Sequence, residues 1–302
     1  MSTYSYGAIL SASEKISWKV EDLIGGDNRL DFSKPFLPEA LAGVEPLTFL
    51  SPAERLVLNQ IRGNEYLYIF GLVEEFILPF VLDHARPNLS GDDDRARALL
   101  RFASDEAKHI QLFHRFSEEF AAGFGVRCPV IGPADAIANA VLSHDPLSVA
   151  LVTLHIEWMT QRHYLDCMKD NQDLDPQFKS LLQHHWMEEA QHAKMDVLMV
   201  EALADSRTPE QIDAAVDGYL EIGTMLDGGL QQQVAMNLEA FREATGRELH
   251  DDERMQYQEA QVRAVRWTYL GTGMTHPVFL ETLGKIRPSA RARIEEIAPA
   301  FS

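Results

Sequence analysis

The sequence predicts an all-α protein, a core of four long helices with additional helices before and after it. Three observations carry this reading. No segment alternates apolar and polar residues with a convincing period of two, and four segments of some 25 to 30 residues instead show three-four apolar spacing. Proline, glycine or a capping side chain marks the boundaries of each of the four. Helices of that length run to about 40 Å at 1.5 Å rise per residue, which suits a bundle.

Residues 1–50 contain Gly25-Gly26, Pro35, Pro38 and Pro46 and read as irregular chain wrapping the outside of the bundle. The first long helix opens at Ser51, with Pro52 in its first turn and Glu54 at the third position, and runs to about Asp83. Pro87 and the GDDD at 91–94 close the following turn. Asp92, Asp93 and Asp94 place negative charge at the positive end of a second helix over about 94–122. Gly123, Gly125, Pro129, Gly132 and Pro133 then break the chain before a short helix at 134–142. Asp145-Pro146 opens the third long helix, to about 170, and Asp175-Pro176 the fourth, to about Asp205. Thr208-Pro209-Glu210 starts an accessory helix reaching about Thr245, and another covers 251–272 before a turn in GTGMTHP at 271–277. There is no tandem repeat. The whole chain, 1–302, reads as one domain with its core at about 51–205 and accessory helices over about 208–302.

Composition narrows the function classes. With 302 residues, 46% of them hydrophobic, the chain has material for a large core. A net charge of -19 argues against nucleic acid, which requires basic stripes. Cys128 and Cys167 are the only cysteines, so there is no disulfide framework, thiolate zinc site or iron–sulfur cluster, and a reducing compartment is expected. MSTYSYGAILSASEK has no basic segment followed by an apolar stretch, and the cytoplasm is the expected location. Tyr66 to Leu82 has nearly the apolarity of a membrane span, but Glu74 and Glu75 sit at its centre. Two carboxylates at mid-bilayer would cost about 5 to 7 kcal/mol, so a buried helix of a bundle is the better reading.

Those buried carboxylates have company. Glu106 and His109 in DEAKH, and Glu189 and His192 in EEAQH, form two Glu-x-x-His pairs on the second and fourth helices. Residues three apart on a helix share a face, so one carboxylate and one imidazole can converge on a single ion. The first pair shares its face with Leu99, Phe102, Ala103, Ile110 and Phe113. On the fourth helix His185 precedes Glu189 by one turn, so His185, Glu189 and His192 all point one way, while His184 and Glu188 belong to the adjacent polar face. The third helix carries one acid between 147 and 165, Glu157, among apolar residues, with His155 and His163 well around the wheel. On the first helix the stripe 57, 61, 64, 68, 71, 75, 78, 82 contains Glu75, which is taken as the ligand, with Glu74 one residue away as the alternative. Four buried carboxylates without counter-charge would be prohibitively costly or would protonate, whereas two divalent ions make the core neutral. Carboxylate and imidazole donors without thiolate suit iron or manganese.

With these residues in place the chain resembles the ferritin-like di-iron oxygenases, and within them the p-aminobenzoate N-oxygenase (AurF-like) family, whose third imidazole stands four residues before the last Glu-x-x-His as His185 stands before Glu189. The resemblance covers about residues 50 to 205. It implies a ferritin-like four-helix bundle holding two irons on Glu75, Glu106, His109, Glu157, His185, Glu189 and His192. It also implies O2 as co-substrate and oxygenation of an aryl amine through a peroxo-di-iron species. Electrons would come from a separate reductase or ferredoxin, because the chain has no flavin, nicotinamide or iron–sulfur signature, and a homodimer is expected. Phe113, Trp158, Met159, Tyr164 and Trp186 are candidates for an apolar substrate pocket. The alternatives are a di-iron C–H hydroxylase or desaturase on a carrier-bound substrate, and a ferritin-like iron protein that is not an enzyme.

Overall fold

The computed structural model describes residues 4–91 and 93–301. Met1 to Thr3, Asp92 and Ser302 lie outside them, and with them the expected contribution of Asp92 to the second helix's start. Among the described residues there is no strand beyond a single bridge between Gly25 and Asn28.

The first fifty residues are less irregular than expected, since they include the short helices α1 (Tyr6–Ser13), α2 (Val20–Leu23) and α3 (Glu39–Ala42). The four long helices follow as α4 (Pro52–Ala85), α5 (Asp93–Phe124), α7 (Pro146–Arg162) and α8 (Pro176–Asp205), with the short α6 (Ala134–Leu142) between the two pairs. Their starts are chemically determined. Ser51 Oγ accepts from the Glu54 N–H at 3.3 Å while the Glu54 carboxylate accepts from the Ser51 N–H at 2.7 Å, a reciprocal cap that satisfies two otherwise orphaned donors. Asp145 and Asp175 cap α7 and α8 in the same spirit, each followed by a proline whose missing N–H costs nothing there. Beyond its last α-helical residue α7 widens into π turns over His163–Met168, closed by the Lys169 N–H donating to the Tyr164 carbonyl at 2.9 Å.

The accessory helices are α9 (Pro209–Thr245), α10 (Asp251–Arg266), α11 (Thr272–Met274), α12 (Pro277–Ile286) and α13 (Pro288–Ile297). The turn expected at 271–277 is shorter than predicted. Helical backbone continues from α10 through π turns at Trp267–Gly271 into α11, and the break falls at Thr275–His276. A side chain is excluded at Gly271 in this helix, because the Trp267 ring and the Phe301 carbonyl crowd the space a Cβ would need.

In the bundle α4 pairs with α5 and α7 with α8, and α5 meets α8 across the middle. The α4–α7 pair is different. Few backbone positions of α4 and α7 approach each other, and α9 packs across both from outside. A buried ion pair between Arg62 and Glu65, with Glu65 also accepting from Asn237, ties α4 to α9. Such a pair adds little net stability but penalises any arrangement that leaves one partner alone. The roof is therefore held in a defined register.

Candidate metal centre

The middle of α4 explains where the sequence reading went wrong. From Leu58 to Val81 only Asn64, Tyr68, Glu75, Leu78 and Pro79 are less than fully buried. The stripe expected to face inward is thus the helix's least buried face. The Glu75 side chain is 33% exposed, its nearest basic partner being His114 at 3.7 Å, whereas Glu74 is buried and lies 3.0 Å from His185 Nε2. Glu74, not Glu75, reaches the cluster. The cause is physical: a helix apolar on nearly every side carries no phase in its hydrophobic pattern, so three-four spacing selects no face.

The remaining expected residues converge. Glu106 and His109 from α5, Glu157 from α7, and His185, Glu189 and His192 from α8 are all buried. Their donor atoms form two overlapping quartets, Glu74–His109–His185–Glu189 and Glu106–His109–Glu189–His192, each with its atoms within 4.8 Å of one another. Glu189 is central. Its Oε1 lies 2.7 Å from His185 Nε2 and 2.9 Å from His109 Nδ1, and its Oε2 lies 2.7 Å from His192 Nδ1, which is 2.8 Å from Glu106 Oε1. Glu157 stands beside this group without joining either quartet, close enough to Glu189 for that carboxylate to help raise it.

Short distances here are not a satisfied hydrogen-bond network. Glu74 Oε2, both oxygens of Glu106, Glu157 Oε2, Glu189 Oε1 and His109 Nδ1 have no aligned partner although buried. Buried polar atoms are nearly always paired, so a set of orphans facing one space is the signature of donors built for something else. Oxygen and imidazole nitrogen, with no cysteine in either quartet, fit hard or borderline divalent cations.

Outer partners fix the imidazoles. Glu188 is buried and its Oε2 accepts from His109 Nε2 at 2.9 Å, with Lys108 holding the other oxygen. Asp105, itself held by Arg101, faces His192 Nε2 at 3.6 Å. A carboxylate behind Nε2 keeps the proton there and leaves Nδ1 free to face the cluster, which is how metal-binding histidines are usually oriented. The Trp18 ring lies 6.2 Å from the His109 ring and nearly parallel to it, with the Lys108 ammonium 4.0 Å above the indole. Phe102 stacks on His192 at 3.9 Å, and Phe113 and Phe70 meet His185 edge-on.

Without ions the cluster balances its charge with protons. Burial works against a charged His109, but Glu189 and Glu188 outweigh it and push the imidazole up to about 9; Glu189 and Asp105 push His192 up to about 10 by the same contest. Burial tends to protonate Glu189 too, yet the three surrounding imidazoles hold it well below the usual carboxylate range. Burial, then Glu189, raises Glu157 well above that range. Asp196 is raised likewise, chiefly by burial, and neither of its oxygens has a partner.

Besides Asp105, three groups escaped the sequence reading. Glu188 was placed on a polar face, but the doubled Glu of HHWMEEAQH was its signal: two adjacent acids on one buried turn cannot both face solvent. Asp196 continues the 185, 189, 192 spacing by one more turn. Trp18 left no signal, since only the tertiary fold brings the N-terminal arm to α5. The histidines set aside, His155 and His163, are indeed occupied elsewhere: His155 pairs with Tyr219 Oη and the Tyr269 carbonyl, and His163 with Tyr66 Oη and the Thr268 carbonyl. Of the expected pocket aromatics, Phe113 packs on the cluster, while Trp158 stacks on His276 and Tyr164 on Trp186.

No family model and no curated protein matches the chain. Solved structures do. A tyrosine-to-phenylalanine variant of an R2-like ligand-binding oxidase with an aerobically reconstituted Mn/Fe cofactor is 13% identical, covers 90% of this chain and 93% of its own, and superposes with a TM-score of 0.51. A glycine-to-leucine variant of an R2-like ligand-binding oxidase with an aerobically reconstituted Fe/Fe cofactor is also 13% identical, covers 88% and 93%, and superposes at 0.50. At this identity the likeness concerns the fold, and with the helix order above it makes the architecture ferritin-like.

Proposed function

We propose that the protein is an O2-dependent non-haem di-iron oxygenase that acts on the nitrogen of an amine, an aryl amine in the first instance. The observation that carries the proposal is the pair of buried quartets sharing His109 and Glu189, with orphaned oxygens and one orphaned nitrogen facing a common space. Glu74 and His185 would serve one ion, Glu106 and His192 the other, Glu189 and His109 lying between, with the Glu157 carboxylate alongside. Two divalent ions would neutralise the four glutamates and displace the protons that otherwise do so. Once bound, the metals supply the electrons and Lewis acidity for O2 activation.

The chain's own residues supply the rest. Glu188 and Asp105 orient the imidazoles, the aromatic rings of Phe70, Phe102 and Phe113 exclude water, and His185 adds a third nitrogen donor. That extra imidazole is the feature favouring N-oxygenation over C–H hydroxylation or iron storage. The partners implied by the same reading are those of a cytoplasmic homodimer, supplied with electrons by a separate reductase or ferredoxin drawn to the acidic chain, with no nucleic-acid or membrane partner. Among the described residues no helix is long and apolar enough to cross a membrane.

Anaerobic loading with Fe(II), followed by metal analysis and by O2 exposure with an aryl amine and reductant, tests the proposal. Close to two irons per chain and a hydroxylamine or nitroso product are expected. A protein that takes up less than half an iron would remove the di-iron reading, and oxidation at carbon alone would remove the N-oxygenase reading.

A further inference from the structure

Resting on the oxygenase reading, we propose that a cavity between α4, α7 and α9 is the substrate site, and that it takes a neutral, apolar molecule about the size of a substituted benzene rather than an anion such as an aminobenzoate. The cavity has a volume of about 240 Å³. An apolar cavity of roughly 150 Å³ accommodates benzene, so the space fits one ring with a small substituent.

Its position follows from the fold. Val73 and Phe76 form one wall, Val152 and Ile156 a second, Ile222 and Leu226 a third. Val73 immediately precedes Glu74 and Ile156 immediately precedes Glu157, so the cavity lies at the level of the metal centre along both helices. It occupies the side of the bundle on which α4 and α7 stand apart, the gap that α9 roofs. Met225, 39% exposed, is at the edge, a flexible apolar side chain suited to a passage that opens.

The lining decides the chemistry. Among the described residues that line it, Gln232 is the only hydrogen-bonding side chain and none is charged. A carboxylate buried there without a partner would be strongly disfavoured, whereas an aryl amine, uncharged at neutral pH, meets no such penalty. Gly229 offers a way to fill the space from the roof: a Cβ at this helical position meets only the tip of Ile131, at 3.3 Å.

Calorimetric titration of 4-methylaniline and 4-aminobenzoate into the metal-free and the iron-loaded protein tests the assignment, with iron content measured separately. The neutral amine is expected to bind both forms, and the carboxylate at least about 100-fold more weakly. Gly229→Leu should weaken 4-methylaniline at least about 10-fold while leaving iron content unchanged; should that variant misfold, Ile222→Phe fills the same space. Equal affinity for the two compounds, no binding of the neutral amine, or full binding to a folded variant with the cavity filled would overturn the proposal. Amine binding in a protein that fails to take up iron would support the cavity as a binding site and remove the oxygenase reading alone.

Discussion

Replacing Glu188 by alanine is expected to loosen the metal centre although Glu188 is not proposed to touch a metal. Its carboxylate accepts from His109 Nε2 at 2.9 Å in a buried position, and Lys108 is its other main partner. Deletion leaves a buried N–H without an acceptor, which costs about 1–3 kcal/mol, and this loss should appear in the thermal stability of the metal-free protein. Lys108 is 21% exposed and can regain water, so its share is small. The effect on binding has a separate origin. Without a carboxylate behind Nε2 the imidazole can hold its proton on Nδ1, the atom facing the cluster, and the ring is free to turn. Loss of such an outer partner typically lowers metal affinity about 10- to 100-fold. Glu188→Gln keeps an acceptor oxygen and should lose less on both counts. Competition titration of Co(II) or Fe(II) against a chromophoric chelator, run beside thermal melts, measures the two effects independently. Unchanged affinity in Glu188→Ala would refute the argument that this hydrogen bond sets the imidazole's proton and orientation.

The corrected first-helix assignment predicts that Glu74→Ala loses one metal ion's worth of binding whereas Glu75→Ala binds as the parent does; metal analysis of the two variants decides, and the opposite pattern would reinstate Glu75. Because His109 and His192 are held protonated at neutral pH, loading two ions at pH 7 should release at least two protons. Calorimetry in buffers of different ionisation enthalpy counts them, and a count near zero would contradict the charge balance derived above. The same two imidazoles, when charged, stabilise the metal-free fold through their attraction to Glu188, Glu189 and Asp105, which the unfolded chain lacks. Their folded values are raised, so the contribution is complete below about pH 6.5 and fades as pH climbs through about 9 and 10. Metal-free melts across that window should therefore fall, and a flat profile would count against it. Asp196, protonated and unpartnered, should tolerate Asn with little loss of stability; a severe loss on denaturation would mean that it carries charge instead.

The helices, their caps and the Glu-x-x-His pairs were legible because each depends on spacing within one segment. Ser51, Asp145 and Asp175 announce helix starts by local chemistry, and Glu106–His109 repeats in Glu189–His192. What failed needed information from elsewhere in the chain. Glu74 and Glu75 differ only in which neighbour covers each, and α4 is covered on almost every side. The role of Glu188 depends on α5 arriving opposite, and that of Trp18 on an arm some ninety residues before His109 folding back over it. The helical continuation at 267–274 was hidden by glycines whose space is in fact taken up by Trp267, Phe301 and His155.

One consequence of the α9 roof reaches beyond this molecule. The helix that closes the cavity donates none of the groups gathered around Glu189, so its inward residues can drift without disturbing the ionic heart of the bundle. On the proposed reading, exchange at Ile222, Leu226 or Gly229 would reshape what is admitted while the metal-binding cluster stays constant. Such a division of labour would let selection retune preference for one compound over another at a stability cost confined to a single helix.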